Sequence, residues 1–189
     1  MQTAGFVLAE QIIGDYMGLR PAKCYRKLER PYTRQSRSKP RKGYVKGVPD
    51  KKIHKFEMGD PNKSYELRAY LVAEKGVQIR HNALEAARIA TNKHMEVNAG
   101  KDNYFIKILI YPHHIMRENA LATGAGADRF SEGMRRAFGK AIGLAARVKP
   151  DQRIIEVRAD EENSEFIKSA LRRASMKFPT PCRIAFENA

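Results

Sequence analysis

The sequence predicts an α+β fold: a mainly antiparallel sheet, two principal helices and an extended basic N-terminal arm. Three observations lead there. Long helical periodicity occurs in only two segments, 82–97 and 161–175. The short apolar runs around them do not alternate with helices in the βα order that a parallel sheet requires. Residues 20–46 carry cations, prolines and tyrosines in place of any apolar pattern.

Residues 1–19 form an atypical N-terminal extension. They hold Glu10 and Asp15, no basic residue, and an apolar scatter of Phe6, Val7, Leu8, Ile12 and Ile13. A secretory leader needs a basic start and an unbroken apolar run, and neither is present. Composition turns abruptly basic after Met17, so either Met17 is the natural start or the residues before it form a separate small helix.

The arm, residues 20–50, follows. Its stretch 20–46 contains Arg20, Lys23, Arg26, Lys27, Arg30, Arg34, Arg37, Lys39, Arg41, Lys42 and Lys46 against the single acid Glu29. Pro21, Pro31, Pro40, Tyr25, Tyr32 and Tyr44 are threaded among them. Like charges repel and proline breaks helices, so this segment cannot bury a core of its own. It needs a polyanion, and RNA or DNA supplies regularly spaced negative charge. Arg20, Lys23, Arg26, Arg30, Arg34, Arg37, Arg41 and Lys42 are the expected phosphate contacts, with the tyrosines available to stack on unpaired bases.

Residues 51–189 read as one globular α+β domain. Segment 52–58 alternates as a strand, with Gly59-Asp60-Pro61-Asn62 as its turn. Segment 65–74 is a second strand. The first helix, 82–97, places Leu84, Ala86, Ala87, Ile89 and Ala90 at helical spacing, with Asn82 as cap and Glu85 completing a capping box. Gly100 stops it. Residues 104–111 form a strongly apolar strand closed by Pro112. Strands 142–148 and 153–159 are joined by the turn Lys149-Pro150-Asp151. In helix 161–175 the stripe is Phe166, Ile167, Ala170, Leu171 and Ala174, with acids at the start and bases at the end, as the helix dipole favours. A last strand covers 183–186.

Residues 120–140 stand apart. Gly124, Gly126, Gly133 and Gly139 punctuate a flexible loop that carries Asp128, Arg129, Glu132, Arg135, Arg136 and Lys140. Loops this long inside a compact domain are usually functional or disordered. The loop lacks the Gly-Lys-Ser/Thr ending of a nucleotide-binding loop. It suits a finger whose glycines let backbone approach RNA closely, with Phe138 stacking or anchoring its base.

A net charge of +15 and a pI near 10.0 point to nucleic acid or another anionic surface. Cys24 and Cys182 fit a reduced, intracellular protein better than a disulfide scaffold. No stretch is apolar and long enough to span a membrane. His113 and His114 have no cysteine near them, so a zinc site is not expected; they read as polar residues at a strand end or as further RNA contacts. Catalytic candidates reduce to His113 or His114 with Asp128 or Glu132. An RNA-processing or RNA-modifying enzyme, using the loop as a lid, is the alternative reading.

Several ordered stretches carry a resemblance. They are Arg20-Pro21-Ala22-Lys23-Cys24-Tyr25-Arg26, Arg30-Pro31-Tyr32-Thr33-Arg34 and Gly47-Val48-Pro49-Asp50-Lys51-Lys52-Ile53. Ala83-Leu84-Glu85-Ala86-Ala87-Arg88-Ile89-Ala90, Ala125-Gly126-Ala127-Asp128-Arg129, Gly133-Met134-Arg135 with Ala137-Phe138-Gly139-Lys140, and Ala170-Leu171-Arg172-Arg173-Ala174 continue it. Together they resemble the archaeal and eukaryotic family of large-subunit ribosomal protein ten, the counterpart of bacterial large-subunit protein sixteen. The resemblance implies an α/β-hammerhead type of fold and a structural, cytoplasmic protein of the large ribosomal subunit, with no enzyme activity, cofactor or metal. It implies large-subunit rRNA, the tRNA acceptor end and neighbouring ribosomal proteins as partners, with no membrane and no homo-oligomer. It also implies that the loop reaches toward the peptidyl-transferase centre, with Arg117 at its entry and Gly126, Asp128, Arg129, Arg135, Arg136 and Lys140 as its working residues. Residues before Met17 lie outside the family pattern, and the insert 35–42 is longer and more basic than it.

Overall fold

The computed structural model describes residues 19–28, 45–119, 125–126, 129, 132–135 and 137–188. Among these, eight strands and two helices of more than one turn occur in the order β1 (Glu57–Gly59), β2 (Leu67–Ala73), β3 (Val77–Arg80), α1 (His81–Asn98), β4 (Tyr104–Ile108), β5 (His114–Glu118), β6 (Lys140–Val148), β7 (Arg153–Ala159), α2 (Ser164–Ser175) and β8 (Cys182–Asn188). One-turn 3-10 helices occupy Ala22–Cys24 and Glu161–Asn163. The α+β reading with antiparallel sheets therefore holds.

Two sheets divide the strands. Five run in the order β1-β4-β7-β2-β8 and three in the order β3-β6-β5, with every pairing antiparallel. β7 is central, and its run Ile154, Ile155 and Val157 is buried, as a strand covered on both faces demands. Glu156 in the same strand is buried too, and its carboxylate accepts from Arg158 Nε at 2.6 Å. α1 packs against β3, β4 and β6; α2 packs against β2, β7 and β8; the two helices also pack on each other. Ile79, Leu84, Met95, Ile106, Ile155, Ile167 and Leu171 meet in the single core cluster that results.

Several elements differ from the sequence reading, each for a physical reason. The strand expected over 52–58 narrows to β1. Ile53 leaves the edge to enter the core, although the Phe56 carbonyl still accepts the Ile108 N–H at 2.8 Å. The strand expected to reach 111 stops at Ile108, where the chain turns its next amide, Leu109 N–H, to Ile154 O at 2.9 Å. β3 and β5 were not anticipated: each is short, and β3 runs without a break into a helix.

The turn at 149–151, where Asp151 adopts φ 59°, does not make a hairpin, because β6 and β7 belong to different sheets. α1 begins one residue earlier than expected, with Arg80 as its cap and no side-chain cap bond. Asn82 is thus inside the first turn, and Glu85 bonds Arg88 at 2.8 Å instead of closing a capping box. The buried face of α1 is Leu84, Ala87, Thr91 and Met95; Ile89 is exposed. Thr91 is tolerated there because its hydroxyl donates to Ala87 O at 2.8 Å.

Candidate nucleic-acid interface

The three-stranded sheet positions both basic segments. β3 is an edge strand of that sheet, and the arm root covers it. Gln78 N–H donates to Arg26 O at 2.9 Å, and Gln78 Nε2 donates to Lys27 O at 2.6 Å. An open edge pairs with any passing strand, so this cover removes a liability while fixing the arm's origin. Arg80 Nη2 donates to Arg20 O at 2.6 Å, and its guanidinium lies 4.7 Å from the centre of the Tyr25 ring. Arg20 itself pairs with Glu118 at the end of β5. The Tyr25 hydroxyl donates to the same carboxylate at 3.3 Å. Burial first, and then the Glu118 charge, push the Tyr25 hydroxyl above its ordinary pKa, which keeps it a donor.

Of the expected arm contacts, Arg20 is therefore committed to docking, whereas Lys23 and Arg26 are exposed. Arg30, Arg34, Arg37, Arg41 and Lys42 lie outside the described residues, as does the Met17 start.

The loop springs from β5 and β6. Arg117 is within β5, not after it, and a register shift between Met116 and Arg117 brings it opposite Ala141. Its Nη1 donates to Phe138 O at 2.6 Å, and its guanidinium stands 3.8 Å from the Phe138 ring centre. Phe138 thus anchors the loop base through Arg117. Asn119 Nδ2 donates to Gly133 O at 3.1 Å, a second staple across the loop. Gly139, at φ 74°, carries the chain past the Glu118 backbone so closely that a Cβ would fall 2.6 Å from its carbonyl.

Lys140, expected in the loop, is the first residue of β6 and pairs with Glu118 across the ladder. Gly126, Arg129, Arg135 and Lys140 are all exposed, with Arg129 N–H closing a turn onto Gly126 O at 3.1 Å. Asp128 and Arg136 lie outside the described residues.

The two histidines separate as adjacent positions at a strand start should. His113 is exposed and tilts against Tyr111 at 4.3 Å, while Phe56 stacks on Tyr111 at 5.3 Å. His114 is half-buried, and burial followed by Arg147 and Arg117 lowers its pKa. Among the described residues no group of three or more His, Cys, Asp or Glu side chains could hold a metal ion. Both cysteines are free; burial pushes the Cys182 thiol up to about 11. No described helix is long and apolar enough to cross a membrane.

Sequence reasoning missed Glu118 and Arg80, the two residues that join arm to sheet. A lone acid before a basic loop, and an arginine abutting a helix with no acid in its first turn, were the available signals.

Fold and surface together define a basic α+β protein that presents cations from an anchored arm and a stapled loop. The sequence matches the family described as ribosomal protein L16p/L10e over residues 30–185, and the chain belongs to that family. Its relatives include proteins called large ribosomal subunit protein uL16. That of Staphylothermus marinus is 52% identical over 172 residues, covering 90% of this chain and 95% of the relative. Those of Archaeoglobus fulgidus and Picrophilus torridus are 49% and 48% identical, covering 90% and 89% of this chain and 94% and 92% of the relatives. The chain is a structural constituent of the large ribosomal subunit in the cytoplasm, and not an enzyme. That sets aside the RNA-modifying alternative.

Proposed function

We propose that the chain anchors to large-subunit rRNA through residues 20–46, and that the loop 120–140 positions the acceptor end of tRNA near the peptidyl-transferase centre. It does so as a single copy, beside neighbouring ribosomal proteins. The observation that carries this reading is the docked arm root. Its backbone and the Arg20–Glu118 pair fix where the cationic segment leaves the domain, while Lys23 and Arg26 remain exposed for phosphate. Fixing the origin of a charged segment lowers the entropy lost when it binds. The staples at Phe138 and Gly133 support the same logic for the loop: a held base with exposed Arg129 and Arg135 beyond it.

The test is retention on large subunits through a high-salt wash, followed by rRNA binding across a salt series. Replacing Arg34, Arg37, Arg41 and Lys42 with Ala is expected to flatten the slope of log affinity against log salt by about 3, at roughly 0.7–0.9 per phosphate contact. An unchanged slope overturns the arm reading. Deleting residues 124–133 is expected to leave subunit binding intact and impair tRNA positioning; normal peptide synthesis by such subunits overturns the loop reading.

A further inference from the structure

Beyond β4 the exposure of the chain alternates. Leu109, Tyr111 and His113 are exposed, while Ile110 and Pro112 are buried. In an extended chain, alternation places the three exposed side chains on one face. Tyr111 is 39% exposed, yet its ring is held. Phe56 stacks on it at 5.3 Å with the planes 20° apart, and Phe56 is itself packed against the core. His113 lies against the same ring at 4.3 Å. Lys51 Nζ stands 5.1 Å from the ring centre, and a hydrogen bond with Tyr111 raises the pKa of that ammonium, which keeps it charged there.

The surroundings are positive. Segment 51–56 holds Lys51, Lys52 and Lys55 and no acid. Of the acids that flank it, Glu57 pairs with Lys107 at 2.6 Å, and Asp50 accepts the Lys51 backbone N–H at 2.7 Å. None of these side chains takes part in docking the arm root or in stapling the loop.

The occupant must bring a flat face for exposed rings and negative charge for the lysines. An aliphatic surface brings neither. An unpaired nucleotide brings both, because its base stacks on tyrosine or histidine while its phosphate pairs with an ammonium. An acidic peptide with an aromatic side chain has the same two features, but position favours RNA. Lys51 follows Lys46, the last cation of the arm, by five residues. That is at most about 18 Å of chain, so a strand gripped by the end of the arm is within reach. Rings already held by Phe56 and Lys51 also lose little freedom when a base arrives.

We infer that Tyr111 and His113 form a stacking platform for one unpaired base of the rRNA, with Lys51 on its phosphate. This inference rests on the rRNA reading above and adds to it a base contact on the globular domain.

The binding test uses the full chain with a single-stranded RNA of about 12 nucleotides and the same strand made without bases, followed by fluorescence anisotropy. Phosphate contacts are common to the two strands, and stacking separates them. Tyr111→Leu keeps an apolar side chain and removes the plane. It is expected to weaken binding of the base-bearing RNA about 5- to 150-fold, the loss of one stacked base. Its affinity for the baseless strand, its salt slope and its urea midpoint are expected to stay as in wild type. Tyr111→Phe keeps the plane and is expected to bind as wild type does. Lys51→Gln is expected to reduce the salt slope by about 0.7. In large subunits, a benzophenone photocrosslinker in place of Leu109 is expected to label rRNA.

Tyr111→Leu with an undiminished preference for the base-bearing strand overturns the platform, and so does a Tyr111→Phe loss as large as that of Tyr111→Leu. A crosslinker that labels only protein, or nothing, overturns it as well. If the arm variant still loses rRNA binding in any of these cases, the rRNA reading survives alone. Wild type that binds neither strand overturns both.

Discussion

Gly139→Ala is the sharpest perturbation of the loop base. Gly139 sits at φ 74°, and a Cβ there would stand 2.6 Å from the Glu118 carbonyl carbon and oxygen and 2.9 Å from Asn119 N. Alanine meets two costs. Left-handed backbone costs an L-residue about 1–2 kcal/mol. The collision is with backbone at the end of β5, which no rotamer change relieves, and the forced shift costs typically about 1–3 kcal/mol.

The sum is about 2–5 kcal/mol. Gly133, at φ 60°, is the internal control because nothing lies within 4 Å of its Cβ position. Gly133→Ala carries the backbone cost alone, about 1–2 kcal/mol. Urea unfolding of both variants isolates the difference. A loss of about 3 kcal/mol lowers the thermal midpoint of a chain this size by roughly 6–12 °C. If Gly139→Ala is no more costly than Gly133→Ala, the close passage of loop over β5 is wrong.

Arg117→Lys keeps the charge but loses the planar contact with Phe138 and the aligned bond to its carbonyl. Amide exchange over 137–139 is expected to accelerate, and unchanged exchange would remove Arg117 as the loop's anchor. Leu84→Ala is expected to cost about 2–5 kcal/mol and Ile89→Ala within about 0.5 kcal/mol, both by urea unfolding; equal costs would mean that α1 is rotated from the face described. His81, His94 and His114 are each lowered first by burial and then by Lys52, Arg173 and Arg147 respectively. The unfolded chain therefore takes up protons more readily, so stability is full above about pH 6.5 and declines as pH falls below it. Urea midpoints at about pH 7.5 and 5.5 check this, with His114→Gln expected to flatten the decline; a midpoint as high at the lower pH refutes it.

The sequence was most legible where one period ran uninterrupted. β7 matches its expected span, 153–159, because its apolar run is bounded by a turn and by Asp160. α2 was legible because its stripe and its charge gradient agree; only Phe166, at the rim, falls outside the buried set. α1 was harder. It is alanine-rich with a weak apolar contrast, so hydropathy turns Ile89 inward and Thr91 outward, the reverse of what is found, and the Thr91 hydroxyl's bond to Ala87 O makes its burial acceptable.

The division into two sheets was illegible for a different reason. A strand reads the same whichever sheet accepts it, and the turn at 149–151 looks like any hairpin turn. The unpaired atoms of Gln78, Arg80 and Asn82 were equally hidden. Polar residues at a strand–helix junction look satisfied until the packing removes their water.

Glu118 shows how the two basic segments depend on each other. Its carboxylate holds Arg20 and Tyr25, its backbone lies against Gly139, and its ladder partner is Lys140. Arg20 and Glu118 are 98 residues apart, so no local pattern could join them. In a chain of charge +15, repulsion works against bringing the arm root and the loop base together. The Glu118 carboxylate, paired with Arg20 and on the residue opposite Lys140, offsets that repulsion at this strand end. The arm root and the loop base thus share a strand end, and the acid that composition would dismiss as incidental is what joins them there.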